Sequence, residues 1–358
     1  MYNKLCIKLG SNLLARKDGS LDTERIDHIV DQIAILHQQG KETILVSSGA
    51  VASGRNLIKT PALNDAISRR QLWSSIGQIQ LMNAYINAFQ RHQIMCAQVL
   101  VTKGDFKDRH HYLNMKNCIS SLLANKVVPI VNENDAVSVT ELMFTDNDEL
   151  AGLIAGMTNA EVIIILSDID GIYDGDPDES GVSVIPEIHN NLEDYTRIIS
   201  SKKSNFGKGG IITKSKIANR AAKSGITSYI ANGQRDNILL DLLNDDRSVL
   251  NTKFVAGKRT SNVKKWIAHS EGFEKGIVYV NTGAKNALLS KMATSLLFIG
   301  ITRIEGYFKK GDIVKIMDEE GNYLGLGRVK YDAEMALNYI GKENKKPFIH
   351  YDYLFLNN

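Results

Sequence analysis

The feature that most constrains this chain is an alternation. Short uninterrupted apolar runs are separated by longer stretches whose apolar residues recur every three or four positions. The clearest run is Val162–Leu166 (VIIIL), which carries no polar residue. A strand that is apolar on both faces must be covered on both faces, as happens in parallel sheets flanked by helices. Leu5–Leu9, Thr43–Ser47 (TILVS), Ala97–Val101, Val127–Val131 and Ser228–Ala231 also read as strands. Between them lies Asp22–Gln39, where Ile26, Ile29, Val30, Ile33 and Leu36 share one helical face and Gly40 follows as a stop. Gln71–Phe89, Tyr112–Asn125, Glu149–Met157 and Ile211–Lys223 read as helices in the same way, and Asp146-x-x-Glu149 resembles a capping box. The alternation predicts an α/β fold, a mostly parallel sheet sandwiched by helices. In such sheets ligands bind outside the carboxyl ends of the strands.

The texture changes after residue 255. Residues 256–275 are polar and basic, with Lys258, Arg259, Lys264 and Lys265, and read as a linker. Beyond them Ile277–Val280, Ile313–Met317 and Leu324–Val329 read as short strands, with Glu319-Glu320-Gly321-Asn322 a hairpin turn. The expected division is a catalytic domain over 1–255, a linker over 256–275 and a small β-rich domain over 276–358. Charge excludes one class of partner for that last domain. It holds 11 Lys/Arg against 9 Asp/Glu, and the whole chain has a net charge of only +3, so a basic nucleic-acid face is not expected. The N-terminus MYNKLCIKLG enters a strand without an apolar leader, and no run approaches the roughly 20 apolar residues of a membrane span. Cys6, Cys96 and Cys118 are scattered and read as buried free thiols. Together these features predict a cytoplasmic protein with no membrane contact.

Polar, glycine-containing segments follow the strands. Lys8-Leu9-Gly10-Ser11-Asn12 places an ammonium at a strand end, aimed at phosphate or snorkelling to solvent. Ser47-Ser48-Gly49-Ala50 offers hydroxyls and main-chain N–H groups to an anion, or a plain N-cap. Asn132-Glu133-Asn134-Asp135 and Asp146-Asn147-Asp148 pair carboxylates with amides, which suits a zwitterion and equally suits turns. Ser167-Asp168 leads into Gly171-Ile172-Tyr173 and Asp176-Pro177, where an acid can meet a ribose hydroxyl or sit in a surface turn. Gly207-Lys208-Gly209-Gly210 runs into Ile211-Ile212-Thr213-Lys214, a loop entering a helix that is neither a P-loop nor GxGxxG. His110 and His111 have no nearby nucleophile and read as solvated or helix-capping.

In order, KLGSN, SSGAV, NENDAV, TDND, SDIDGIYDGDP and GKGGIITK resemble the amino-acid kinase family over nearly the whole chain. NENDAV with DND resembles the branch that phosphorylates the side-chain carboxylate of L-glutamate, the opening step of proline biosynthesis. The C-terminal segments Asn281–Lys285, Phe308–Asp312 and Gly325–Gly327 resemble a PUA domain. The resemblance implies that Lys8 and Lys214 contact the transferring phosphoryl group and that Asp148 holds them in place. It implies glutamate binding by Ser48, Asp135 and Asn147, with Asn134 alongside. It assigns ATP to Lys8, Ser167, Asp168 and the run Lys208, Gly209, Gly210, Ile211, Ile212, Thr213 and Lys214. It further implies Mg²⁺ carried on ATP without a protein metal site, feedback inhibition by proline, and a homodimer or homotetramer. Two residues depart from the family pattern: Lys208 stands where Thr is usual, and Thr145 where Gly is usual.

The chemistry is consistent with the residue types. A carboxylate with an ordinary pKa near 4.3 is already a nucleophile at neutral pH, so no general base is needed. The obstacle is repulsion between anions, about 4 kcal/mol for two unit charges ~4 Å apart at an effective dielectric of 20. Lysines and main-chain N–H groups oppose it.

Overall fold

The computed structural model describes residues 2–58, 65–107, 109–138, 144, 146–177, 179–189, 208–244, 248–257, 264, 267, 272, 274–290, 294–343 and 345–356. The chain groups into two compact units, Met1–Arg259 and Thr260–Asn358.

In the first unit the described strands are β1 (Lys4–Leu9), β2 (Glu42–Ser47), β3 (Cys96–Val101), β4 (Val128–Glu133), β5 (Val162–Ser167), β6 (Glu187–Ile188), β7 (Thr227–Asn232) and β8 (Asn251–Phe254). They form one sheet in the order β3-β4-β2-β1-β5-β7-β8-β6. Neighbours from β3 to β7 run parallel, and β8 reverses against β7. The chain passes from β1 to β2, out to the edge at β3, back inward to β4, and then crosses to the other side of β1 at β5. The crevice of such a sheet opens where the winding reverses, here beside β1. Leu9 is level with Ser47 and Leu166, so the polar residues that follow these strands emerge at one edge.

The apolar patterns are buried as their spacing requires. Val162 through Leu166 are fully buried, as are Leu5, Ile7 and Leu9. The helix Thr23–Gln38 buries Ile26, Ile29, Val30, Ile33 and Leu36, and Asp22 caps it by accepting the Arg25 N–H at 3.0 Å. Several helices begin earlier than their apolar pattern. The helix read as Gln71–Phe89 spans Ala66–Gln90, because Asp65 accepts the Ser68 N–H at 2.7 Å and adds a polar first turn. The helix read from Glu149 starts at Asn147, with Asp146 accepting the Asp148 and Glu149 N–H groups at 3.0 and 3.1 Å. The helix read from Ile211 spans Lys208–Lys223, so the glycines at 209 and 210 lie in its first turn and not in a loop.

The helix Ala50–Leu57 crosses Ala66–Gln90 with backbone against backbone. A Cβ on Gly54 would lie 1.8 Å from the Trp73 carbonyl oxygen, and one on Gly77 1.8 Å from that of Ala50. Only glycine fits at that crossing.

The second unit holds a sheet in the order β10-β9-β11-β12-β13, formed by β9 (Gly276–Val280), β10 (Ile301–Gly306), β11 (Ile313–Asp318), β12 (Tyr323–Arg328) and β13 (Leu354–Leu356). The predicted hairpin joins β11 to β12, with Gly321 at φ +83°. β10 and β13 were not anticipated, and neither were the helices Thr282–Leu289 and Ala333–Leu337. Phe298 centres the core, its ring 5.0–5.4 Å from Tyr331, Tyr339 and Phe348. Among the described residues no helix is long and apolar enough to cross a membrane. The cysteines are free thiols, and Cys118 is exposed, contrary to the buried reading, because it lies on an outward face of the helix Arg109–Ala124.

Candidate active site

The strand ends of β1, β2, β4 and β5 open into a cleft of about 940 Å³. Lys8, at the end of β1, is 4 % exposed, so its ammonium does not snorkel to bulk solvent. Its Nζ lies 2.5 Å from Asp148 Oδ1. Lys214 approaches the other carboxylate oxygen, Nζ to Oδ2 at 3.2 Å. Asp148 is 1 % exposed and sits in the first turn of Asn147–Thr158, so one ammonium from β1 and one from the helix Lys208–Lys223 share one buried carboxylate. The trio leaves one unit of positive charge in excess, facing the cleft. Gly10 lies beside it, where a Cβ would come within 3.7 Å of Lys8 Nζ.

Across the cleft, the β2 end makes the second wall. Gly49 adopts φ +105°, a left-handed conformation that L side chains disfavour, and opens the helix Ala50–Leu57 without a side-chain cap. Ser48 is therefore not an N-cap. Its Oγ accepts Asn147 Nδ2 at 3.0 Å, and the same amide reaches the Ser47 carbonyl at 2.8 Å and Asn132 Oδ1 at 3.0 Å. Asn147 thus locks the ends of β2 and β4 together, with its backbone next to Asp148. Ser47 Oγ and the buried Tyr85 hydroxyl sit 2.8 Å apart beneath this turn.

The third wall is acidic. Asp135 is paired with Arg70, whose Nε and Nη2 lie 2.9 and 2.8 Å from Oδ1. Glu133 is 3.8 Å from the same guanidinium and accepts the Phe144 N–H at 3.0 Å. Burial pushes the Glu133 carboxyl up to about 7, with the Asp135 charge adding to the effect and the Phe144 N–H and Arg70 opposing it. Burial also raises Asp135 against the pull of Arg70, and raises Asp146, where the Asp148 charge adds to it. At the ends of β1 and β5, Asn12 Nδ2 and Ser167 Oγ donate to Asp168 at 3.1 and 2.9 Å. Burial works against that carboxylate, but these bonds hold it below the usual range.

Nine of the sequence-predicted residues line this one cleft: Lys8, Ser48, Asp135, Asn147, Asp148, Ser167, Asp168, Gly210 and Lys214. Asn134 does not. It faces a smaller cavity behind the wall, with Gln78 and Gln98. Ile211, Ile212 and Thr213 lie in the same helical turn but off its cleft face, since Gly210 and Lys214 are four residues apart and share it. Lys208 and Gly209 belong to that helix's first turn, and Thr145 lies outside the described residues. Arg70 was missed by sequence reasoning. It sits one residue before the apolar pattern begins, and its partner is 65 residues away.

Residues 3–232 match the amino acid kinase family, and residues 276–347 match the PUA domain. The chain belongs to the amino acid kinase family. This family member is 51 % identical over 356 residues to a glutamate 5-kinase of Bacteroides thetaiotaomicron, the match covering 99 % of each chain. It is 46 % identical to a glutamate 5-kinase of Chlorobaculum tepidum, over 99 % of this chain and 98 % of that one. A glutamate 5-kinase of Haemophilus influenzae is 34 % identical over 92 % of this chain and 89 % of its own.

Proposed function

We propose that this protein transfers the γ-phosphoryl group of ATP to the side-chain carboxylate of L-glutamate, giving L-glutamyl 5-phosphate for proline biosynthesis. The observation that carries the reading is the Lys8–Asp148–Lys214 trio, centred on a buried carboxylate, facing the same cleft as the zwitterion-suited wall of Ser48, Asp135 and Asn147.

The residues divide the work as follows. Lys8 and Lys214 place positive charge on opposite sides of the phosphoryl group in transfer, and Asp148 fixes both ammonium groups before substrate arrives. That preorganisation is worth most in a site from which water is excluded. Ser48, Asn147 and Asp135 hold the amino acid, with Asn134 supporting the turn from behind. The main-chain N–H groups opened by Gly49 face the acceptor. Ser167 and Asp168 meet the nucleotide, with Lys208, Gly209, Gly210, Ile211, Ile212 and Thr213 forming the helix start beside its phosphates. The acceptor carboxylate attacks phosphorus as the bond from phosphorus to the β-phosphate oxygen breaks, and ADP leaves.

Mg²⁺ carried on ATP would supply further positive charge near the phosphates. The donor set fits that role. Asp148 is held by two lysines and so is not free to act as a metal ligand. Proline inhibition, a homo-oligomeric state and a cytoplasmic location extend the same reading, as does a PUA-like domain that serves stability or assembly and not RNA binding.

The test is glutamate-dependent ADP release with Mg²⁺, with hydroxylamine trapping the acyl phosphate. Hydroxamate formed in step with ADP supports the proposal. ADP release with aspartate or a nucleoside monophosphate, but not glutamate, overturns it.

A further inference from the structure

The cleft must hold both ends of an amino acid, and one of them lacks an assigned partner. Asp135 suits the α-ammonium, but the residues assigned to the substrate above, Ser48, Asn147 and Asp135, include no positive charge for the α-carboxylate. Lys8 and Lys214 are already engaged by Asp148, on the side where phosphate must lie. The other cations lining the cleft are Lys17, Arg55 and Arg70. Of these, Arg70 is placed on the acidic wall itself, its Nε and Nη2 both fixed on Asp135 Oδ1.

We infer that Arg70 is a specificity-determining residue that binds the substrate's α-carboxylate, forming with Asp135 a paired receptor for the α-amino acid end. This rests on the reading of glutamate as acceptor. An α-amino acid carries its ammonium and carboxylate on one carbon, so its receptor needs an acid and a base side by side. Asp135 and Arg70 are that arrangement. The guanidinium has five N–H donors in a rigid plane, and two are directed at Asp135, leaving a free edge for a second carboxylate. Its side chain is 43 % exposed, so solvent and substrate reach that edge, whereas the Asp135 side chain is only 7 % exposed. Glu133, 3.8 Å from Nη2, holds the guanidinium from beneath. The helix that carries Arg70 is locked against Ala50–Leu57 by the glycine crossing at Gly54 and Gly77, which ties its position to the Ser48–Gly49 turn.

The experiment compares three acceptors in the full-length enzyme: glutamate, 4-aminobutyrate, which lacks the α-carboxylate, and glutarate, which lacks the ammonium. Each is measured for kcat/KM, or as a competitive inhibitor of glutamate phosphorylation. In Arg70→Gln the glutamate KM is expected to rise about 10- to 100-fold, the range for a lost charge-assisted hydrogen bond, and far more than kcat falls. The preference for glutamate over 4-aminobutyrate drops by the same factor, while the preference for glutamate over glutarate stays. Arg70→Lys, which keeps the charge without the planar fork, gives an intermediate loss. Equal losses for glutamate and 4-aminobutyrate in both variants overturn the inference and leave Arg70 as scaffolding for Asp135. Absence of glutamate-dependent ADP release from the unsubstituted enzyme overturns the functional reading, and this inference with it.

Discussion

Buried carboxylates behave oppositely in the two units of this chain. In the second unit, Asp318 is 3 % exposed and saturated. It accepts the Glu320 and Asn322 N–H groups at 3.1 and 2.7 Å and the Asn322 amide at 2.9 Å, and it pairs with Lys285 at 2.7 Å. The Lys285 ammonium, followed by the Asn322 amide, lowers its pKa far below the carboxylate range. In the first unit, Glu133, Asp135 and Asp146 border an open cleft and have pKa values raised by burial. A buried acid with its own complete set of donors holds a turn together. One that lines an open cleft with its pKa raised by burial is a candidate for ligand binding.

The comparison breaks most visibly at the lysines. Lys8→Ala or Lys214→Ala is expected to lower kcat about 10²- to 10³-fold, with a far smaller change in the glutamate KM. Steady-state kinetics showing only a KM change would place these lysines with the substrate-binding wall. A second effect concerns what holds that wall in place. Gly77→Ala forces a Cβ into the Ala50 carbonyl and is expected to destabilise the first unit by about 3 kcal/mol, read as an earlier thermal transition. An unchanged transition would mean that the two helices separate easily.

A smaller effect sharpens the contrast through pH. The Glu133 carboxyl sits near 7 in the native state, above its ordinary 4.5. Between those values the unfolded chain releases the proton while the native side chain keeps it. The stabilisation is therefore complete below about 4.5 and is lost as pH rises through 7. Glu133→Gln keeps an acceptor for the Phe144 N–H and removes the titration. The fall in Tm across that window should become shallower by about 2–4 °C. Asp318 has the reverse sign. Its stabilisation is present above the ordinary 3.8 and is lost only in stronger acid. Asp318→Ala is expected to lower the second unit's Tm and leave kcat untouched, which differential scanning calorimetry alongside the ADP assay would check.

How much of this was legible in the sequence follows from the range of the forces involved. The core strands β1 to β5 were readable because each is a short, mostly apolar run, and β5 (VIIILS) has no polar break before its last residue. β6 and β8 were not, because Glu187–Ile188 is two residues long and Asn251–Phe254 (NTKF) alternates polar with apolar. Helix starts were read late wherever a capping acid, Asp65 or Asp146, begins a polar turn ahead of the apolar pattern. Lys8, Asp148 and Lys214 were found by their motifs. That they share one carboxylate is tertiary information, since Lys8 and Asp148 meet only through the β1–β5 register and the helix that precedes β5. Arg70 left no local signal, because its meaning comes wholly from Asp135, 65 residues away in sequence and beside it on the same wall.

The proposed mechanism has two ammonium groups converging on the phosphoryl group in transfer. The most direct measurement is a crystal structure with glutamate and a non-hydrolysable ATP analogue bound together. Lys8 Nζ and Lys214 Nζ are each expected about 3 Å from γ-phosphate oxygens, with the glutamate side-chain carboxylate in line behind phosphorus. A γ-phosphate bound away from either lysine, or a glutamate presenting its α-carboxylate to phosphorus, would contradict it.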